Sequence, residues 1–370
     1  MKFTCEKHVL QNAVATASRA AAPKSPIPAL EGLLIEAGHK VRITGYDLKR
    51  GIYTNISADV SEPGNVVLNA RLFGEIVRSL PDGVVTVSTD NGNLTSITCG
   101  SADFSIMGTS SDDYPDLPDA DGHNTIVIAQ ELLRDMVGRT LFAVSDNEAR
   151  PVYTGSLFEV ESRKLTVVSV DGYRLALRRG ELVSSDFDNT SFIVPGMALS
   201  DVEKICTDGE NPVRITVGLK HISFSIDDTV VVSRRLEGEF LNYRRSIPTD
   251  FRYQVKAART ELTRVVDRVS LIIDVKTKNP LRCVFGDGEV RLTCITNLGK
   301  AEDICPIEGS GGDLEIGFNN RYLLDALKAA PADELLLCLN TGSSPCVVRP
   351  ADGSDAFVFM ILPVRLRAGE

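Results

Sequence analysis

The sequence lacks the features that direct a protein into or across a membrane. Its longest apolar runs fall well short of the roughly 18 to 20 residues that a membrane-spanning helix needs. Residues 1–8 become charged almost at once and contain no apolar core of the kind that signal peptides carry. We therefore expect a soluble, cytoplasmic protein with no membrane partner.

Local motifs of catalysis and of metal or nucleotide binding are missing as well. The chain has no GxSxG, HExxH or GxxxxGK[ST] sequence. The four histidines are scattered, and none has a neighbour at helical spacing that would indicate a metal site. The glycine-rich residues 308–313 lack the lysine of a phosphate-binding loop, so we predict a flexible loop there. We expect no metal and no cofactor, and catalysis remains an alternative without a positive motif.

Paired cysteines of the CxxC kind are absent too. The chain has eight cysteines, and most of them stand among apolar residues. This pattern predicts the buried, reduced thiols of a cytosolic protein. Catalysis by one of these cysteines is the alternative that the sequence leaves open.

The bulk composition leaves both an enzyme and a binding protein open. A chain of 370 residues is too long for one ordinary domain and suits two or three. The formal net charge of −10 by itself argues against a nucleic-acid partner. Affinity for DNA, however, depends on where the positive charge lies rather than on the sum. An acidic ring with a basic lining and an ordinary acidic enzyme therefore both fit.

The chain does contain a unit of roughly 120 residues that recurs three times. Each copy begins with an amphipathic helix, which we predict at residues 6–21, 129–144 and 260–273. Two strands and a turn typical of a β-hairpin follow in each copy. These predicted hairpins lie at residues 33–44, 157–168 and 283–293.

Later features of the unit also recur in the same order. They are polar corners at Asp47, Asp171 and Asn297, and starts of a second helix at Asn69, Pro195 and Asn319. Strands outnumber helices and mostly follow one another through hairpins, so we predict the α+β class. We expect three repeated domains, 1–120, 121–248 and 249–370, each with two helices packed on antiparallel sheets. Three unrelated α+β domains of similar size are the alternative.

Three like domains joined edge to edge would curve the chain, and a closed ring would leave no sheet edge exposed. The helices of all copies would then lie on one face. Their scattered basic residues indicate either an ordinary solvated face or a lining that contacts DNA phosphates without reading bases. These residues are Lys7, Arg19, Arg71, Arg78, Arg134, Arg139, Lys204, Arg264, Arg268, Arg321 and Lys328.

Seven short motifs occur along the whole chain. They are MKFT at 1–4, TGYDL at 44–48, DYPDLP at 113–118, VDGYRLA at 170–176, GEFLNYRRSIP at 238–248, IGFN at 316–319 and LPVRL at 362–366. No single motif is diagnostic. Together, in this order and at this spacing, they resemble the bacterial DNA polymerase III beta subunits, the family of beta sliding clamps.

The resemblance implies a non-catalytic processivity factor that forms a ring as a homodimer around duplex DNA, without sequence preference. A separate clamp-loader complex would open the ring. The DNA polymerase III alpha subunit and other proteins with a clamp-binding motif would attach to it. A three-domain scaffold that binds proteins without encircling DNA is the alternative.

The resemblance also implies a groove, formed by the second and third domains, that binds a short linear peptide. Apolar side chains would line its pocket, and arginines at the rim would orient the peptide. The corresponding residues are Tyr153, Thr154, Val170, Gly172, Tyr173, Arg174, Leu175, Leu241, Arg245, Ser246, Met360, Leu362, Pro363, Val364, Arg365 and Leu366. Two departures from the family pattern are Leu241, where proline is common, and the extension at residues 367–370.

Contacts with DNA and between protomers are implied as well. The DNA contacts would come from Lys24, Arg71, Arg78 and Arg150, and more weakly from the second domain, where Gly196 and Met197 replace basic residues. The dimer interface would join the first domain of one copy to the third domain of the other. Its expected residues are Asp103, Phe104, Ile106, Ile272, Ile273 and Lys300. We predict an ion pair between Asp103 and Lys300, opposite in sign to the family pattern.

Overall fold

The computed structural model of the chain describes residues 1–120, 122, 124–209, 211–274 and 279–366. Contacts group the chain into two compact units. Unit 1 comprises Met1–Arg134, Leu182–Phe187 and Met197–Arg235, and unit 2 comprises Asp135–Glu181, Asp188–Gly196 and Leu236–Glu370. The second repeat therefore contributes to both units. Within the described ranges, no helix is long and apolar enough to cross a membrane.

Each repeat contains the two helices that its pattern predicts, and a short extra helix precedes the third repeat. The helices are α1 (Lys7–Ala17), α2 (Ala70–Ser79), α3 (Gln130–Gly138), α4 (Gly196–Ile205), α5 (Tyr243–Ser246), α6 (Arg259–Ser270) and α7 (Asn320–Ala329). The side chains of Asn69 and Asn319 cap α2 and α7 by accepting hydrogen bonds from backbone N–H groups of the first turn. Helices α1 and α3 end earlier than predicted, because the chain tightens into the 3-10 turns Ser18–Ala20 and Leu141–Ala143.

The strands are short, except for two long strands in the third repeat. They are β1 (Lys2–Glu6), β2 (Gly32–Ala37), β3 (Val41–Tyr46), β4 (Arg50–Ile56), β5 (Asp59–Glu62), β6 (Gly64–Asn69), β7 (Val84–Thr89), β8 (Leu94–Cys99), β9 (Ala102–Met107), β10 (Thr125–Ala129), β11 (Gly155–Glu161), β12 (Lys164–Val170), β13 (Arg174–Glu181), β14 (Ser184–Ser185), β15 (Asn189–Pro195), β16 (Pro212–Val217), β17 (His221–Ile226), β18 (Thr229–Arg234), β19 (Tyr253–Ala258), β20 (Leu281–Thr296), β21 (Gly299–Phe318), β22 (Glu334–Leu339), β23 (Cys346–Pro350) and β24 (Phe357–Ile361).

The sheets are antiparallel, and the nine-stranded and ten-stranded ones continue from one repeat into the next. Unit 1 holds sheets of order β5-β1-β7-β8-β9 and β14-β10-β16-β17-β18-β4-β3-β2-β6, and unit 2 holds β15-β11-β12-β13-β24-β23-β22-β19-β21-β20. In unit 1, β18 of the second repeat pairs with β4 of the first. In unit 2, β24 of the third repeat pairs with β13 of the second. The predicted α+β class with antiparallel sheets is confirmed.

The predicted hairpins are present in the first two repeats, with Ala37 opposite Val41 and Glu161 opposite Lys164. In the third repeat the predicted bounds are wrong. Strand β20 runs on through the expected turn at residues 286–289, because β21 offers backbone partners along nearly its whole length. The register of this pairing shifts twice at that point.

The glycine-rich residues 308–313 belong to β21, so the prediction of a flexible loop there is also wrong. Gly309 and Gly312 have φ angles of +99° and +61°. Such angles suit glycine, and they let an irregular strand keep its pairing. Local turn composition was outweighed here by the pairing of one long strand with another.

Each unit has an apolar core between its helices and its sheets. In unit 1, Leu10 and Val14 of α1 and Phe73 of α2 pack with Ile43 and Val87 from the sheets. The equivalent core of unit 2 packs α6 and α7 against the sheet formed by the third repeat. The helices of the first and third repeats are therefore held to their strands by their apolar stripes, as their spacing predicts.

All eight cysteines are free and buried, which confirms the interpretation of the cysteines as buried, unpaired thiols. Burial raises the pKa of the Cys5 and Cys305 thiols to about 11 and that of Cys206 to about 12. A thiol reacts as its thiolate. These side chains are thus protonated, and chemically quiet, at neutral pH.

Candidate peptide groove, edge strands and basic residues

A tight corner at residues 171–174 of unit 2 contains three of the predicted groove residues, Gly172, Tyr173 and Arg174. The Asp171 carboxylate accepts hydrogen bonds from the backbone N–H groups of Tyr173 and Arg174, at 2.8 and 3.0 Å. Gly172 has a φ of +93°, a conformation that favours glycine. The corner therefore fixes where β12 ends and β13 begins, and it leaves Tyr173 61% exposed.

Arg174 was expected at the rim of the groove with its charge free. It does not stand free there. It is 8% exposed, and it forms ion pairs with Asp171 at 2.9 Å and with Asp325 at 2.6 Å. Its guanidinium also lies 4.4 Å from the centre of the Tyr322 ring. A buried cation that is neutralised in this way holds its surroundings in place and has little charge left to offer a peptide.

An apolar cluster of unit 2 brings five of the predicted groove residues together. Val170, Leu175 and Met360 are buried in it, while Tyr153 and Leu241 pack against it and stay partly exposed. Val170 lies opposite Leu175, and Leu175 lies opposite Met360, on the neighbouring strands β12, β13 and β24. These five residues therefore belong to one continuous apolar wall, and two of the five positions are partly open.

Tyr153 and Thr154 lie in the 3-10 turn Pro151–Thr154. The rings of Tyr153 and Phe240 pack edge to face, with their centroids 5.7 Å apart. The Thr154 hydroxyl donates to the Pro151 carbonyl at 2.7 Å. Tyr153 thus presents a fixed ring, and the polar group of Thr154 is used within the turn.

Arg245 and Ser246 lie in α5, which Asn242 caps. The Asn242 side chain accepts a hydrogen bond from the backbone N–H of Arg245, and the Ser246 hydroxyl donates to the Asn242 carbonyl. Tyr243 is buried and donates to Glu159 on β11, which ties the helix to the sheet. Arg245 is exposed, so it is the arginine of the predicted groove whose charge remains available on this side.

The last described residues connect the corner to the third repeat. The backbone N–H of Leu362 donates to the Tyr173 carbonyl at 2.8 Å, and that of Val364 donates to Gly317 at 2.7 Å. Leu366 lines a narrow cavity with residues of β20. Pro363 is partly exposed and Arg365 exposed. The extension at residues 367–370 lies outside the described residues.

Sequence reasoning missed Tyr322 and Asp325, which belong to the same arrangement. The Tyr322 ring stacks on the Tyr173 ring with centroids 6.1 Å apart, and Asp325 binds Arg174. One signal for Asp325 was present in the repeat itself. It occupies the same place in α7 as Asp201 does in α4, and Asp201 binds Arg50, which is the counterpart of Arg174.

The corresponding corner of unit 1, residues 47–50, has the same backbone arrangement. The Asp47 carboxylate accepts from the N–H groups of Lys49 and Arg50 at 2.9 and 2.8 Å. The Arg50 guanidinium lies 3.1 Å from Asp201. Burial raises the pKa of Asp201, although Arg50 acts in the opposite direction. Both corners therefore use one arginine between two carboxylates.

The predicted DNA-contact residues lie in both units. Lys24 and Arg78 of unit 1 and Arg150 of unit 2 are exposed. Arg71 is exposed too, but it pairs with Glu75 at 3.0 Å. Several other helix cations are likewise neutralised, including Arg134 by Asp208 and Arg268 by Asp303. The basic residues therefore differ in how much charge they can offer to DNA, and much of it is compensated by acidic residues within the fold.

Strand β9 carries the first-domain residues predicted for the dimer interface. It is the edge strand of its sheet, and among the described strands it pairs with β8 alone. Phe104 and Met107 are 36% and 69% exposed, which is unusual for large apolar side chains at an edge. Asp103 is exposed and Ile106 partly buried. This edge is open to a further strand.

The third-domain residues predicted for the same interface are less uniform. Ile272 and Ile273 pack, partly buried, against the core of unit 2. Lys300 is exposed on β21, where its ammonium group already pairs with Glu302 at 2.6 Å. Residues 299–305 of β21 pair with β20 on one side. A simple pair of Lys300 with Asp103 would therefore have to compete with Glu302.

Comparison with known proteins assigns the whole chain. Residues 1–118, 127–242 and 244–365 match the family models of the N-terminal, central and C-terminal domains of the DNA polymerase III beta subunit. The chain belongs to this family. It is 31% identical to the beta sliding clamps of Staphylococcus aureus (strain N315) and Bacillus subtilis (strain 168), with 99% of this chain and at least 99% of each relative covered.

Solved clamp structures agree with that assignment. The DNA polymerase sliding clamp from Bacillus subtilis has a TM-score of 0.94 at 30% identity, and the beta subunit from Thermotoga maritima 0.92 at 27%. Each comparison covers 99% of this chain and 100% of the other. The predicted three domains of the clamp fold are confirmed, and ring formation as a dimer is consistent with the family. The function is that of a DNA sliding clamp, a non-catalytic processivity factor, so the enzyme alternative is rejected.

Proposed function

We propose that this sliding clamp closes as a homodimeric ring around duplex DNA in the cytoplasm. In this proposal the DNA polymerase III alpha subunit, the clamp loader and other proteins with a clamp-binding motif attach to a groove in unit 2. One observation carries it. The pairing of β18 with β4 and that of β24 with β13 have the same strand register. Two free edges, β9 and residues 299–305 of β21, can pair in that register as well. The domain limits 1–120, 121–248 and 249–370 remain part of the proposal.

The two junctions between consecutive repeats have the same geometry. In unit 1, Val231 of β18 lies opposite Ile52 of β4. In unit 2, Phe359 of β24 lies opposite Ala176 of β13. All four side chains are buried. The last strand of one domain thus completes the sheet of the domain before it, twice, in one register.

The edge strand β9 has the residue that this register needs. Phe104 lies opposite the buried Ile97 of β8, which is the place that Val231 takes opposite Phe224 of β17. Phe104 is therefore the counterpart of Val231. It is partly exposed in a single chain because no strand lies beyond it, and a further strand would cover it.

The edge at residues 299–305 has the matching residue. Ala301 lies opposite Cys294, just as Ala176 lies opposite Ser169. Ala301 packs against the core of unit 2. Repeating the register in a dimer puts Ala301 opposite the partner's Phe104. A twofold axis then forms two such seams and leaves neither edge open.

This register revises the ion pair predicted between Asp103 and Lys300. Lys300 would lie opposite the partner's Ser105, and Glu302 opposite the partner's Asp103. Lys300 would then be diagonal to Asp103, within reach of a long side chain. Since Lys300 already contacts Glu302, it would offset the repulsion between two acids at the seam. We propose this three-residue arrangement in place of a simple Asp103–Lys300 pair.

The apolar cluster of unit 2 supports the groove. Its partly exposed members Tyr153 and Leu241 stand beside buried Val170, Leu175 and Met360, and such a patch suits apolar anchors of a short peptide. The exposed Arg245 would orient the peptide. Residues 362–366 would form the adjoining wall, and Arg174 would hold the corner instead of contacting the peptide.

Contact with DNA is proposed for the exposed cations Lys24, Arg78 and Arg150, and in a minor way for Arg71. Phosphate contacts of this kind are independent of sequence and sensitive to salt. Met197 at the start of α4 is 64% exposed and adds no charge. The second domain would therefore hold DNA more weakly than the other two.

The test combines mass with topology. The protein should have the mass of a dimer at micromolar concentration. Loaded by its clamp loader and ATP on nicked circular DNA, it should be retained, and it should be lost when the circle is linearised. A monomer, or equal retention on linear DNA, would contradict the ring. The second result would favour the three-domain scaffold.

A further inference from the structure

Asp325 reaches from α7 to the corner at residues 171–174. One of its oxygens lies 2.6 Å from Arg174. Arg174 is 8% exposed, so its charge is balanced by Asp325 and Asp171 rather than by water. Together these side chains form a rigid connection between a helix and the corner. Arg321, 3.9 Å from the same Asp325 oxygen, is exposed and adds a weaker contact.

This connection ends on the proposed groove. Asp171 fixes the backbone N–H groups of Tyr173 and Arg174, and the Tyr173 carbonyl accepts from Leu362. Val170 and Leu175 stand directly before and after the corner. A shift of the corner would therefore move the apolar wall and residues 362–366 together. Asp325 itself is not a member of the apolar cluster.

The same connection exists in unit 1, beside a site that is filled. Arg50 binds Asp201 at 3.1 Å, and the Lys49 carbonyl accepts from Arg234, as Tyr173 does from Leu362. Gly51, however, takes the place of Leu175. The Leu117 side chain occupies the space where a side chain at Gly51 would stand.

Among its described residues, the third repeat lacks the connection. Its strands are joined by the short turn between Thr296 and Gly299, which lie opposite each other. The turn residues Asn297 and Leu298 supply neither the arginine nor the aspartate. The arginine between two carboxylates is thus not needed by every copy of the fold. It occurs at the two junctions inside the chain, and at only one of these is an apolar site left partly open.

We propose that Asp325 is a positioning residue for peptide binding, acting through Arg174 on the corner at residues 171–174. The proposal rests on the function proposed for the groove. Asp201 serves the same junction geometry in unit 1 but positions no groove. Loss of the Asp325 carboxylate therefore weakens peptide binding, whereas loss of the Asp201 carboxylate does not.

The experiment measures the Kd of a fluorescent peptide copied from the clamp-binding segment of the organism's own replicative polymerase. Four full-length proteins are compared: wild type, Asp325→Asn, Asp325→Glu and Asp201→Asn, each confirmed as a dimer by native mass spectrometry. We expect Asp325→Asn to raise the Kd about tenfold, the order expected for losing a charged hydrogen bond that supports a site. Asp325→Glu should restore most of the affinity, and Asp201→Asn should stay within about twofold of wild type.

A double variant separates positioning from general damage. If Asp325 acts through the corner, Asp325→Asn combined with Tyr173→Ala should bind no more weakly than Tyr173→Ala alone. Simple addition of the two losses, or equal weakening by Asp201→Asn, would overturn the proposal. An Asp325→Asn protein that binds like wild type would overturn it as well. If wild type itself fails to bind the peptide, the proposed groove is wrong, and this inference falls with it.

Discussion

The corner at residues 47–50 in unit 1 and the corner at residues 171–174 in unit 2 share their backbone bonds but differ in their surroundings. The Asp201 side chain is 7% exposed at the first, and the Asp325 side chain 31% at the second. At the first, Leu117 fills the space beside Gly51. At the second, Leu175 contributes to a cluster with partly exposed members.

The difference shows how a repeated fold can keep one binding site instead of two. The ion pairs and strand register that define a junction are retained at both places. The side chains around them decide whether the site is filled by the chain itself or left for another molecule. Junction geometry and site opening are therefore separate properties, and they can be changed separately.

Stability should show the largest contrast. Arg50→Met leaves Asp201 buried without its main partner, which should cost about 3–5 kcal/mol. Arg174→Met leaves Asp325, which water reaches more easily, and should cost about 1–2 kcal/mol. Hydrogen exchange of the β4 amides in the first variant and the β13 amides in the second gives each loss separately. Equal losses would show that the exposure of the carboxylate does not govern the cost.

Peptide affinity should show the next contrast. Leu175→Ala removes a buried side chain from the apolar wall. The cavity lets the wall relax, and we expect the Kd of a polymerase-derived peptide to rise about tenfold. The matched control is Leu117→Ala, an equal truncation at the filled site of unit 1, which should leave the Kd unchanged. Fluorescence polarisation measures both. If Leu117→Ala binds as weakly as Leu175→Ala, the two sites are not independent.

A disulfide can test whether the proposed seam between protomers repeats the strand register of the two junctions inside the chain. Ser105→Cys with Lys300→Cys places two thiols directly opposite in the proposed seam, close enough to bond after a small adjustment. Asp103→Cys with Lys300→Cys places them diagonally, at a less favourable distance. We expect the first protein to form covalent dimers rapidly on mild oxidation and the second slowly, as judged by non-reducing electrophoresis. A faster second protein would restore the Asp103–Lys300 pairing.

DNA binding should show the smallest effects. Lys24→Ala and Arg78→Ala should each reduce the slope of log affinity against log salt by about one. Arg71→Ala should change the slope less, because Glu75 already neutralises Arg71. Equilibrium binding to short duplexes over a range of salt measures the slopes. An equal reduction of the slope in all three variants would mean that the Arg71–Glu75 pair opens when DNA binds.

Much of the fold was predictable because its patterns are local. Apolar spacing located the helices, and alternating strands with turn residues located the first two hairpins. The prediction of the third hairpin was wrong at Gly286, where a typical turn sequence lies within β20. A turn preference is a short-range property, and it was outweighed by a partner strand that the sequence does not reveal in advance.

The same distinction between local and distant determinants applies to the candidate site. Motifs pointed to the apolar groove residues, and Val170, Leu175 and Met360 do lie together. The position of Arg174 could not be predicted from its motif, because its second carboxylate, Asp325, is 151 residues away in sequence. Comparison of α4 with α7 could have found Asp325, since both helices carry aspartate at the same place.

The buried thiols also bear on how this protein tolerates oxidants. With eight unpaired cysteines, the chain could form many unwanted crosslinks if their sulfur atoms were accessible as thiolates. Burial keeps the sulfur atoms away from solvent, so peroxides and disulfide reagents find little to attack while the fold is intact. Cysteines introduced at the surface should therefore react selectively, and a loss of that selectivity would report local unfolding before it is visible by other means.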